Sequence, residues 1–344
     1  MKKKGFTLVE LLVVIAIIAL LMGILMPALA RVRMIANRMV CGSSLSGIGK
    51  ALLLYAGDAQ EAYPMPSNGT GQLVAYATVG KIGSASNSWD GYSALTSAFN
   101  GNLGGNATIG SLLYMLVKYE DVSPKQFNCK GDSGAEIFKL TTYTVTTQTD
   151  LTKCYDFGSV PAKHNSYAYH FPFATSATST RQAGYPIGVN NKPSSPLAAD
   201  RNPGLDKNAV TYILGGTTPG GLLVGSTADT PGSTAGWSAN NNDYRDKDLV
   251  YNSAAHQREG QNVLYNDGHA KFELTTNVGV NNDNIYQQLP TGTLTDPKRQ
   301  TEAAGLFPTG GGNCTTNPGV QLTYTELVPT ATDDALLINE VRCQ

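Results

Sequence analysis

Between Glu10 and Arg31 the sequence contains no charged residue. Residues 6–30 are almost wholly aliphatic. As a helix they span about 37 Å at ~1.5 Å per residue, enough to cross a hydrocarbon core of about 30 Å. Three lysines, Lys2, Lys3 and Lys4, and then Gly5 precede the run. Glu10 is the anomaly. A lone carboxylate inside a lipid-spanning helix costs about 2.5–3.5 kcal/mol on insertion scales, so such a residue points to function.

Two ordinary explanations fit poorly. A secretory signal peptide needs a small-residue cleavage site after its apolar core and carries no acid within it. The stretch Leu25-Met26-Pro27-Ala28-Leu29-Ala30 resembles such a site only loosely. A plain single-span anchor leaves Glu10 unexplained. Orientation is not set by charge, because Arg31, Arg33 and Arg38 follow the span as the three lysines precede it.

Gly5, Phe6, Thr7, Leu8, Glu10 and the apolar run together resemble the N-terminus of type IV prepilins and type II secretion pseudopilins. That resemblance implies cleavage after Gly5 by a prepilin peptidase, methylation of the new N-terminal Phe6, and a role for Glu10 in assembly with like subunits. Pro27 lies where that family often carries a proline. The same resemblance implies a cytoplasmic N-terminus and a periplasmic or extracellular C-terminal domain, exposed at the cell surface once assembled.

Elementary electrostatics supplies a reason for the pattern. After cleavage the Phe6 α-amine lies about one helical turn from Glu10. An ammonium group on a neighbouring subunit that pairs with Glu10 removes the burial penalty when helices bundle.

Beyond the span, composition excludes several classes. The chain has a net charge of −1, and no basic run follows Arg38, so no nucleic-acid partner is expected. Abundant Gly (37) and Tyr (17) describe a loop-rich, β-containing extracytoplasmic domain rather than a disordered one. Five cysteines, Cys41, Cys129, Cys154, Cys314 and Cys343, lack any C-x-x-C spacing, which argues against a zinc site. The pairing expected in an exported domain is Cys41 with Cys129 and Cys314 with Cys343, leaving Cys154 over.

The helical period continues past the membrane. Val32, Ile35, Met39, Leu45, Ile48, Leu52, Tyr55 and Ala59 form a stripe that wants a sheet to cover it. One helix is therefore expected from Phe6 to about Ala59, ending near Tyr63-Pro64, with Gly23 and Pro27, and then Gly42, Gly47 and Gly49, as weak points. Residues 67–105 read as a long Gly/Ser/Asn-rich loop, and 109–119 as a short amphipathic helix capped by Asn106 or Thr108. Strands are predicted at 143–147, 166–171, 196–199, 209–214, 262–265, 269–274 and 321–327, with a last short helix or strand within 334–343.

This region resembles a narrower family, pilin-like proteins of planctomycete type with a processing-associated His-x9-Asp-Gly domain. Cys41, Leu45, Ile48, Tyr55 and Tyr63-Pro64 carry the first part of the likeness. Phe127-Asn128-Cys129-Lys130-Gly131-Asp132, Ser166-Tyr167-Ala168-Tyr169 and Ala198-Ala199-Asp200-Arg201 extend it. Its C-terminal part runs from His256 to Asp267-Gly268-His269, with one residue more than the family spacing, placed here in the 257–261 loop.

Asp267-Gly268 between two strands is first a hairpin turn, of type I′ by its residue types, with His256 buried against a backbone group or Asp267. The chemical alternatives are thinner. His256, His269, Asp267 and Asp200 are candidate cation ligands, but no D-x-D-x-D-G loop is present. No G-x-S-x-G elbow supports a hydrolase. Asp333-Asp334 is a calcium candidate only by likeness to some pseudopilins. Trp89, Trp237 and the tyrosines offer a glycan-binding face as the competing use of a surface domain.

The expectation is an α+β, pilin-like chain in which a long N-terminal transmembrane helix packs on an antiparallel sheet with long loops. It divides into a leader (1–5), a membrane helix (6–30), the outer half of the helix (31–66) and a globular part (67–344) containing the 256–274 motif. The expected role is structural, in a pilus or secretion pseudopilus, without cofactor or catalysis. The alternative is a membrane-anchored module that binds glycans or proteins.

Overall fold

The computed structural model describes residues 8–65, 109–142, 148–158, 161–170, 172, 187–201, 252–283, 285–286 and 335–338. One helix, α1, runs unbroken from Leu8 to Asp58. Its 51 residues measure about 76 Å at ~1.5 Å each, and the helix is not broken at Pro27. A second helix, α2, occupies Ile109–Tyr119 and is buried over most of its length. The prepilin-like expectation for the architecture holds: a long apolar N-terminal helix and a five-stranded antiparallel sheet form an α+β, pilin-like arrangement.

The strands are β1 (Tyr167–His170), β2 (Pro196–Asp200), β3 (Gln261–Tyr265), β4 (Ala270–Glu273) and β5 (Leu337–Ile338). Their order is β4-β3-β2-β1-β5, with every pair antiparallel. The period-2 alternation of side chains splits the core in two. Tyr167, Tyr169, Leu264 and Ile338 join the α1 and α2 side, while Ala168, Val263, Tyr265 and Leu337 face Ile285 and Tyr286. Both faces of the sheet are thus covered, and every residue of β1, β2 and β3 is buried.

The strands predicted at 166–171, 196–199, 262–265 and 269–274 correspond to β1 to β4, and β5 falls within 334–343. Those predicted at 143–147, 209–214 and 321–327 lie outside the described residues, as do the candidate caps Asn106 and Thr108, Asp333-Asp334, Trp89 and Trp237.

The helical stripe requires a correction. Leu45, Ile48 and Leu52 are buried against the sheet, but Val32, Ile35 and Met39 are 61%, 44% and 70% exposed. The first buried residue of α1 is Cys41, and Arg38, through Glu259 and Phe272, engages the domain ahead of it. The glycines behave differently from expectation too. At Gly49 a Cβ would sit 2.6 Å from Leu264 Cδ1, so the missing side chain lets helix and β3 approach closely. It is a packing device rather than a weak point.

The exit of α1 is pinned by its tyrosine. Tyr63 is buried and its hydroxyl donates to Asn266 Oδ1 at 2.9 Å, while Tyr169 OH donates to the Pro64 carbonyl. Burial pushes the Tyr63 phenol up to about 12.

Candidate functional site

The N-terminal half of α1 is a bare apolar rod. Every residue from Leu8 to Arg33 is exposed, and the most apolar 18-residue window has a mean hydropathy of 3.1 with none of it buried. Leaving so long an aliphatic surface in water is costly, which favours its cover by lipid or by other helices. Among the described residues this is the one helix long and apolar enough to cross a membrane. Glu10 lies in its first turn. Gly5 and Phe6 lie outside the described residues.

Residues 1–26 match the family model described as the prokaryotic N-terminal methylation motif. The chain carries a prepilin-type leader. That leader and the uncovered helix behind it point to single-pass membrane anchoring. No curated protein and no solved structure matches the chain.

The second candidate site lies where α1 enters the domain. Cys41 of α1 is joined by a disulfide to Cys129, just beyond the 3-10 turn Pro124–Phe127. Cys154 is buried, its Sγ 3.9 Å from the Asp150 carbonyl oxygen, and Cys314 and Cys343 lie outside the described residues. Beside the disulfide sits His256, at the end of the 3-10 turn Ala254–His256, with Nε2 3.6 Å from Cys129 Sγ. Gly131 allows this meeting, since a Cβ there would fall 2.2 Å from the Ala255 carbonyl oxygen and 2.8 Å from His256 Nδ1.

His256 does not pair with Asp267. Its Nε2 is 3.2 Å from Asp200 Oδ2 and 3.1 Å from Asn262 Nδ2. The same Asp200 oxygen accepts the Asn262 backbone N–H at 2.6 Å. Nε2 therefore stands between an acceptor and a donor, and can serve only one of them in either neutral tautomer. Asp200 is fully buried, and its Oδ1 has no hydrogen-bond partner among the described residues. Phe272 covers the imidazole edge-on at 5.8 Å, and Arg38 stacks over the other ring's surface while pairing with Glu259.

Strand register explains the constellation. Ala199 lies opposite Val263, so the next residues outward, Asp200 and Asn262, share the face turned toward α1. The 257–261 loop returns the chain to β3 through two consecutive left-handed residues, Gln257 (φ 57°) and Arg258 (φ 61°). This is the loop to which the sequence assigns the extra residue of the motif.

Asp267 and His269 form a separate, exposed pair, with Oδ1 and Nδ1 2.5 Å apart. The backbone N–H of His269 holds the Asp267 carboxyl below its usual range. The four-residue cation set drawn from the sequence is thus split into one buried and one exposed pair. The turn differs from type I′ as well. Only Gly268 takes a positive φ (86°), whereas type I′ needs two such residues in succession. Asn266 stabilises the turn, its amide donating to the carbonyls of Gly188, Val189 and Asn191. Nothing in local residue patterns signals that hub, because its acceptors lie on a distant loop.

Tyr265 stacks on His269 with ring centroids 4.5 Å apart. They line an open cleft with Lys192, Lys271 and Glu273.

Proposed function

We propose that this chain is a structural subunit of a type IV pilus or secretion pseudopilus, matured by a prepilin peptidase and assembled through α1. In this reading cleavage falls between Gly5 and Phe6, residues 6–30 hold the subunit in the membrane before assembly, and the domain lies on the periplasmic or extracellular side. Glu10 accepts the Phe6 ammonium of a neighbouring subunit. The observation that carries the reading is the coincidence of a matched methylation motif over residues 1–26 with a helix left uncovered from Leu8 to Arg33. A membrane anchor alone explains the helix but not the acid at its start.

The test is Glu10→Ala in cells that produce the chain. Leader removal and membrane insertion should persist, while the chain disappears from sheared filament fractions and from subunit crosslinks. Unchanged assembly would reject the role given to Glu10, whereas absence of the unaltered chain from filament fractions and subunit crosslinks would reject the filament role and favour an anchored binding module, whose candidate surface is the Tyr265–His269 cleft.

A further inference from the structure

We propose that Cys41, Cys129 and His256, completed by Asp200, form a buried site for a thiophilic divalent cation of the zinc type whenever the two cysteines are thiols. The disulfide and the metal are then alternative occupants of one place, and each ties α1 to the sheet.

The geometry carries this without rearranging the backbone elements. The ligand atoms of Cys41, Cys129 and His256 all lie within 4.8 Å of one another, and all three residues are buried. Donors held about 2.0–2.3 Å from a tetrahedral ion stand roughly 3.3–3.8 Å apart. Cys129 Sγ and His256 Nε2, at 3.6 Å, already do so. Two thiolates and an imidazole are the donor set that selects zinc over magnesium or calcium.

The second, independent observation is the carboxylate that turns in as fourth donor. Asp200 Oδ1 is buried without a hydrogen bond among the described residues, while the other oxygen, Oδ2, lies 3.2 Å from the same Nε2. An unsatisfied buried carboxylate oxygen costs free energy that a cation would recover. Asn262 Nδ2 completes the picture by donating to Asp200 Oδ2 at 3.2 Å, steadying the carboxylate. The absence of C-x-x-C spacing does not oppose the site, because its ligands come from α1, the 128–131 loop, β2 and the Ala254–His256 turn.

The interconversion balances simply. A trialkylphosphine breaks the S–S bond, takes oxygen from water to become the phosphine oxide, and leaves the two water hydrogens on the sulfurs. Binding of the divalent ion then releases both thiol protons to solvent. A disulfide oxidant reverses this: the thiolates join, the oxidant takes their two electrons and two protons from solvent to become two thiols, and the metal leaves.

The experiment uses the full chain in detergent micelles, reduced with a phosphine under inert gas and titrated with cobalt(II), then zinc(II). The expected result is a sulfur-to-cobalt charge-transfer band that saturates at one ion per chain and is bleached by zinc. The oxidised chain should show no band. The variant C41S/C129S, which keeps Cys154, Cys314 and Cys343, should lose it. His256→Ala should weaken cobalt binding roughly 100-fold, and Asp200→Asn by about 10–100-fold with the sulfur band retained. Zinc should also protect Cys41 and Cys129 from iodoacetamide, mapped by mass spectrometry. A band of equal strength in C41S/C129S overturns the proposal. So does an affinity indifferent to His256→Ala, which is the outcome for an unfolded reduced chain that binds metal through scattered thiols.

Discussion

His256 Nε2 lies 3.2 Å from Asp200 Oδ2 in the space between α1 and the sheet, with both side chains almost wholly shielded from water. That contact joins the last residue of β2 to the turn that leads into β3. It makes Asp200 the acceptor that organises the junction, since the Asn262 main chain and side chain both point at the same oxygen.

Removing that acceptor should therefore be expensive. Asp200→Ala strands the Asn262 N–H and the His256 imidazole, and should cost about 3–5 kcal/mol. Asp267→Ala removes a more exposed pair and should cost about 1 kcal/mol or less. Urea unfolding of the full chain in micelles, followed by tyrosine fluorescence, compares the two. Equal losses would mean that burial does not separate the pairs.

The disulfide closes a long loop, its cysteines lying 88 residues apart in sequence. By chain entropy, losing it through Cys41→Ser should destabilise the domain by roughly 4.6 kcal/mol. The same denaturation measurement on oxidised protein, with non-reducing peptide mapping to verify the Cys41–Cys129 bond, checks this value.

Two helix glycines should respond oppositely to the same change. Gly49→Ala drives a methyl group into Leu264 and should destabilise by about 1–3 kcal/mol. Gly57→Ala meets nothing within 4 Å and should stabilise by up to about 1 kcal/mol. Thermal melts of both variants decide the matter, and a loss at Gly57 would contradict the open space seen there.

Acid sensitivity should trace in part to His170 on β1. Burial pushes its imidazole down to about 3, and its Nδ1 accepts the Ile187 N–H. Below the ordinary value near 6.5 the unfolded chain takes up a proton that the folded chain refuses. Stability therefore falls as pH drops from 6.5 toward 3, by about 1.4 kcal/mol per unit for this residue. Between pH 7 and pH 5 that amounts to about 2 kcal/mol. His170→Gln should flatten this part of the profile, measured by urea midpoints at the two pH values.

The sequence made much of the fold legible because the relevant signals are local. The boundaries of α1 follow from an apolar run and a three- to four-residue period, and β1 to β4 follow from short β-rich stretches between turn residues. The hairpin at Asp267-Gly268 follows from turn chemistry, although its type does not. Where the stripe on α1 stops being exposed was not legible. Val32, Ile35 and Met39 are as apolar as the buried residues beyond them, and only the position of the sheet distinguishes the two groups.

The site shows the same division. The methylation motif over residues 1–26 and the apolar run behind it were legible in the sequence alone, because a candidate span is recognised by length and composition and a terminal motif by contiguous residues. The partner of His256 was decided only by tertiary structure. A short sequence separation favours Asp267, but Asp267 sits at the far end of β3, and a strand carries its two ends apart by about 3.3 Å per residue. Antiparallel pairing of β2 with β3 instead brings Asp200, 62 residues from Asn262, to the end where His256 enters.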